Sequence, residues 1–94
     1  MEENKLESYL GISRKAGYLI IGGEKLENYT KKLYLVLYDS SAQKNTLKVV
    51  EKLKTRNIPV IKVDNLGQLI KIDSCKIVGN KNKNLSDIIL DLLN

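Results

Sequence analysis

The chain has 94 residues, 43% of them apolar, with 16 Lys/Arg against 11 Asp/Glu and a formal charge of +5, which fits one folded domain with a single modest core and favours folding over disorder. Histidine is absent and Cys75 is the only cysteine, so intrachain disulfides, Cys/His zinc sites and every histidine-based triad or acid–base pair are excluded. No run approaches the ~20 consecutive apolar residues of a membrane span, and the polar start Met1-Glu2-Glu3-Asn4-Lys5 lacks the basic and apolar regions of a secretory signal, so a cytoplasmic protein is expected.

Glu2 to Ala16 is predicted as the first helix, with Leu6, Tyr9 and Leu10 on one face and Gly17 as its stop. Arg14 and Lys15 fall in its last turn, where cations favour the negative end of the helix dipole. A short strand, Tyr18 to Ile21, leads through Gly22-Gly23 into a second helix, from Gly23 or Glu24 to Lys31, that carries Leu26 and Tyr29 inward. Leu33 to Tyr38 is an unbroken apolar run, as expected of a central strand covered on both faces. It ends at Asp39-Ser40-Ser41, a helix N-cap cluster.

Ala42 to Arg56 is predicted as a long helix with Leu47, Val50 and Leu53 inside, closed by Asn57 and Pro59. Lys44, Lys48, Lys52 and Arg56 form a basic stripe along its outer face. Ile58 to Val63 is a further strand, and Asp64 or Asn65 caps a short helix, Leu66 to Lys71, buried through Leu66, Leu69 and Ile70. Ser74 to Gly79 is the last strand, in which Cys75 reads as a small buried hydrophobe. A polar basic loop, Gly79 to Asn84, precedes a closing helix, Leu85 to Leu93, with Leu85, Ile88, Ile89 and Leu92 facing the core.

Helices alternating with strands, at least two of them strongly apolar, predict an α/β fold. The expected form is a three-layer α/β/α sandwich, a four-stranded mixed sheet with about five helices, in one domain over residues 1–94. Chemistry finds little support. Gly22-Gly23-Glu24-Lys25 lacks the length and ending of a phosphate-binding P-loop, no dinucleotide fingerprint is present, and Asp64, Asp73 and Asp87 lack metal-ligand spacing. No catalytic residue, metal or cofactor is therefore expected, and the protein is not expected to be an enzyme.

Binding is better supported. The positive balance suits a partner that is a polyanion, and the turns at Gly22–Lys25, Asp39–Ser41 and Lys71–Ser74 are expected to converge at one end of the sandwich. A glycine-opened helix start offers bare N–H groups to an anion, with Arg14, Lys15 and Lys25 adding charge.

The order Leu10-Gly11-Ile12-Ser13-Arg14-Lys15-Ala16-Gly17, Gly22-Gly23-Glu24, Asp39-Ser40-Ser41, Ile58-Pro59-Val60 and Asn65-Leu66-Gly67 resembles the ribosomal L-seven-Ae and L-thirty-e family. It looks nearest to the small bacterial YlxQ-like members and spans nearly the whole chain. The resemblance implies an RNA-binding α/β/α sandwich, in many members a kink-turn binder, within ribosomes or other ribonucleoproteins. In that family a glycine-started helix and the loop before the last strand grip the RNA. Carried onto this chain, these are Gly22, Gly23, Glu24, Lys25 and Asn28, and Lys71, Ile72, Asp73 and Ser74.

One departure stands out. Kink-turn binders usually show Gly-x-Asn-Glu-x-x-Lys at the helix start, and neither Gly22 nor Gly23 as first glycine restores that triad here. The expectation is a non-catalytic, ribosome-associated RNA binder, monomeric, with an altered recognition motif. Structured RNA, kink-turn or ribosomal, is the expected partner. The alternative is a protein-interaction module that has lost specific RNA binding and docks a ribosomal protein through the basic stripe of the long helix.

Overall fold

In the computed structural model, which describes residues 2–94, the chain runs α1 (Glu2–Lys15), β1 (Leu19–Ile21), α2 (Gly23–Asn28), β2 (Leu35–Asp39), α3 (Lys44–Lys54), β3 (Val60–Val63), α4 (Leu66–Ile70), β4 (Ile77–Asn80) and α5 (Lys83–Leu93). Its four strands form one mixed sheet in the order β1-β4-β2-β3. β2 and β3 are parallel, while β4 runs antiparallel to both of its neighbours. The last strand in the chain is thus an inner strand, buried at all of its positions.

Strand side chains alternate between two apolar layers, as the two-residue period requires. Leu35, Leu37, Val63 and Val78 face the layer completed by Leu6 and Leu10 of α1, Leu66 and Ile70 of α4 and Ile89 of α5. Val36 and Ile77 face the layer completed by Leu26 of α2 and Val49, Val50 and Leu53 of α3. Helices on both faces make the predicted sandwich. α2 sits close to the sheet because β4 presents no side chain beneath it: a Cβ at Gly79 would fall on Cδ2 of Leu26 and lie 3.2 Å from Cδ2 of Leu33.

Several boundaries and two buried faces differ from the expectation. Leu47 and Ile88, expected inside, are 41% and 38% exposed. The buried arc of α3 runs through Val49, Val50 and Leu53, one position round from the predicted stripe, and α5 turns Ile89 with Ser86 to the sheet. α2 stops at Asn28, three residues early: Tyr29 is extended, its N–H closes on the Leu26 carbonyl, and its own carbonyl accepts from Arg56 at 2.8 Å. α5 starts at Lys83, two residues early, because the Asn82 side chain accepts from the Leu85 N–H at 2.9 Å and so caps the first turn.

Strand directions give the sheet two ends. β1, β2 and β3 finish, and β4 begins, at the end that holds the Gly22–Gly23 turn; β1, β2 and β3 begin, and β4 finishes, at the other. No helix among the described residues is long and apolar enough to cross a membrane.

Candidate nucleic-acid interface

The two glycines have different reasons. Gly22 adopts φ 105° and ψ 142° as the residue before α2, a conformation that only glycine takes without strain. Its N–H donates to the Ile77 carbonyl at 3.2 Å, which pins the turn to β4, and a Cβ there would meet nothing within 4 Å. Gly23 faces inward, where a Cβ would lie 3.4 Å from Cγ2 of Val49. No side chain caps α2, and helix geometry leaves its first amides without intrahelical acceptors. Glu24, Lys25 and Asn28 are exposed along it. Glu24 suits the positive helix end, yet beside a phosphate it would be repulsive.

The second predicted segment lies in the α4–β4 connection at the same end of the sheet. Lys71 ends α4 in the left-handed region at φ 63°, its ammonium 2.8 Å from Glu7 of α1. Ile72 is half-buried against the first core layer and donates its N–H to the Gly67 carbonyl at 2.8 Å. Asp73 and Ser74 are exposed, and Gly67 is where the segment folds back: a Cβ there would lie 2.7 Å from the Asp73 carbonyl oxygen.

Asp39 takes a role the sequence does not announce. It does not cap α3, whose N-cap is Gln43 with no side-chain bond. Instead Oδ1 of this buried carboxylate accepts from the Leu66 N–H at 2.8 Å, supplying the cap of α4 that neither Asp64 nor Asn65 provides. Oδ2 accepts from the Ser41 hydroxyl and, at 2.9 Å, from the Ser41 N–H. The Ser41 hydroxyl does most to hold the Asp39 carboxyl below its usual 3.8; the Leu66 and Ser41 amides and the Lys76 ammonium help, against the upward push of burial. Lys76 reaches the Ser41 Oγ at 2.8 Å. Lys76 and Ser41, with Lys44 and Thr46 of α3, line a recess of about 650 Å³ at this end. Sequence reasoning missed Lys76 because it sits in what reads as strand.

Arg14 and Lys15 join Lys71 of the second segment in one groove, not the Gly22 turn. They close α1 just before the turn into β1, towards the end opposite Gly22. Arg14 donates Nη1 to the Ile70 carbonyl at 2.9 Å, bonding the end of α4, and both line a groove of about 530 Å³ between α1 and α4. The basic stripe of α3 also divides. Lys52 pairs with Glu27, and Arg56 donates to the Tyr29 and Glu27 carbonyls, so this half fastens α3 to α2; Lys44 and Lys48 stay exposed.

Among the described residues no group of three acidic, Cys or His side chains is arranged to hold a metal. Cys75 is buried, with a hydrogen bond to the Ile77 carbonyl at 3.3 Å, and burial raises its thiol pKa, the condition of an inert thiol.

No protein-family profile matches the chain, and no curated protein matches it. Among solved structures the chain is similar to a protein of unknown function from Bacillus halodurans: 28% identity, a TM-score of 0.84, and coverage of 95% of this chain and 96% of that one.

Proposed function

We propose that the protein is a non-catalytic RNA-binding protein of the cytoplasm, associated with the ribosome and its proteins, whose recognition motif departs from that of the kink-turn binders. One observation carries this reading. The Gly22 turn, strained for any other residue, uncapped and open to solvent, shares an end of the sheet with the Lys71–Ser74 segment across the start of β4. A backbone N–H surface beside an exposed loop suits a phosphate and an adjacent base. Glu24 and Lys25 replace the amide and carboxylate of the kink-turn motif, which favours a different RNA fold at this turn.

Titration of a kink-turn RNA and an unstructured RNA at several salt concentrations tests the proposal. Binding of structured RNA that weakens in Gly22→Ala supports it. Absence of binding to either RNA at low salt overturns it, since phosphate contacts are strongest there.

A further inference from the structure

The net positive charge is not spread over the molecule. Take each connection between elements together with the residue that bounds it on either side. At the glycine end the charged residues are Lys44, Lys71 and Lys76 against Asp39, Asp64 and Asp73. At the opposite end they are Lys15, Lys31, Lys32, Lys54, Arg56, Lys81 and Lys83, with no Asp or Glu. These lysines are far apart in the chain. Only the insertion of β4 between β1 and β2 gathers them, by setting the connection after β4 between the turn into β1 and the turn into β2.

The framework under them is fixed. Asn80 is 2% exposed; its amide donates to the Ser13 hydroxyl at 3.0 Å and its Oδ1 accepts from the Asn82 N–H at 2.8 Å. The Lys81 N–H donates to the Tyr18 carbonyl at 2.9 Å, and the Tyr34 N–H to the Asn80 carbonyl at 3.0 Å. Two half-buried tyrosines, Tyr18 and Tyr34, thus flank Lys81, and the Lys32 ammonium lies 5.4 Å from the Tyr34 ring centroid. Lys54 and Lys83 are paired with Glu51 and Asp87, and Arg56 holds carbonyls of the α2–β2 side. Lys15, Lys31, Lys32 and Lys81 remain exposed with no ion pair among the described residues.

From this placement we infer that the end of the sheet opposite Gly22 is a second nucleic-acid contact, a lysine field that holds the phosphates of single-stranded RNA with Tyr18 and Tyr34 beside the bases. It shares with the proposed function only the class of partner and does not depend on the glycine turn. Lysines interleaved with tyrosines suit a strand whose bases can stack. A bilayer is a poor match, because the large apolar side chains that are exposed, Ile12, Leu47 and Ile88, lie on helices rather than in this field and none is placed there to insert.

The test uses the full chain and the triple variant Lys31→Gln, Lys32→Gln, Lys81→Gln, with polyuridine, a kink-turn RNA and polyglutamate as probes. At ~0.7 per phosphate contact, the slope of log affinity against log salt for polyuridine falls by about 2 in the triple variant. Affinity at low salt drops on the order of tenfold or more. If Gly22→Ala binds structured RNA like the parent while the triple variant loses polyuridine, the glycine-turn reading fails and this one stands. The inference is overturned if the triple variant keeps the parental slope, if the parent does not bind polyuridine, or if it binds polyglutamate as tightly as polyuridine.

Discussion

The two ends of the sheet solve the same construction problem with opposite electrostatics. Each has a buried polar side chain on the same face, tying a helix start to a strand end: Asp39 holds the first N–H of α4, and Asn80 holds Asn82, which caps α5. The glycine end uses a carboxylate and is charge-balanced around it, leaving backbone exposed at Gly22. The other end uses a neutral amide, and the connections around it carry Lys and Arg with no Asp or Glu, the nearby Glu51 and Asp87 being paired with Lys54 and Lys83. A buried carboxylate amid lysines would cancel the field they create, whereas an amide supports the loop without touching it. The contrast separates a turn that exposes backbone N–H groups from a field of unpaired lysines.

The strongest way to probe this contrast is to remove Asp39. Asp39→Ala strands the buried Leu66 N–H and is expected to cost about 3 kcal/mol in urea unfolding, with the polyuridine salt slope intact. The carboxylate also gives this end a pH signature. Its folded pKa lies below 3.8, so its contribution is fully present above that value and is lost as pH falls towards the depressed one. Asp39→Asn should flatten the acid limb of the stability profile, and a limb equally steep in both proteins would assign it to other groups.

Asn80→Ala is the matching change at the other end. Loss of the Ser13 and Asn82 bonds is expected to cost about 2 kcal/mol, and because it frees the Lys81 loop it should also weaken polyuridine binding, unlike the change at Asp39. Gly22→Ala comes next. A φ of 105° is strained for alanine, and about 1–2 kcal/mol of stability should be lost. The Lys31, Lys32 and Lys81 triple substitution is expected to move stability least, within about 0.5 kcal/mol. A larger loss would show that these side chains hold the fold rather than a ligand.

Much of the architecture was readable from period alone. The runs around Leu35–Leu37 and Val60–Val63 and the helical spacing in α1 and α5 point to a helix-covered sheet, because burial selects apolar residues at those spacings. Finer detail was not. Leu47 and Val49 are both apolar, and which one faces inward depends on how α3 is rotated over Val36 and Ile77, a tertiary matter. The link from Asp39 to Leu66 spans 27 residues, beyond any local signal, so Asp39 looked like a cap for the helix that follows it. The Gly22 turn was visible as a dipeptide. The lysine field was not, since the connections that carry Lys15, Lys31 and Lys81 come to one end of the sheet only through the strand order.

The inner position of β4 also sets an order of events during synthesis. β1 pairs with β4 alone, so on a growing chain the first strand has no neighbour until Ile77–Asn80 has been translated. Until then the apolar faces of α1 and β1 have no complete sheet to settle on, and the parallel pair β2–β3 must wait with its inner edge open. Folding therefore waits for the synthesis of β4: a nascent chain halted before Ile77 lacks the strand that joins β1 to β2, and an unpaired strand edge of this kind invites aggregation.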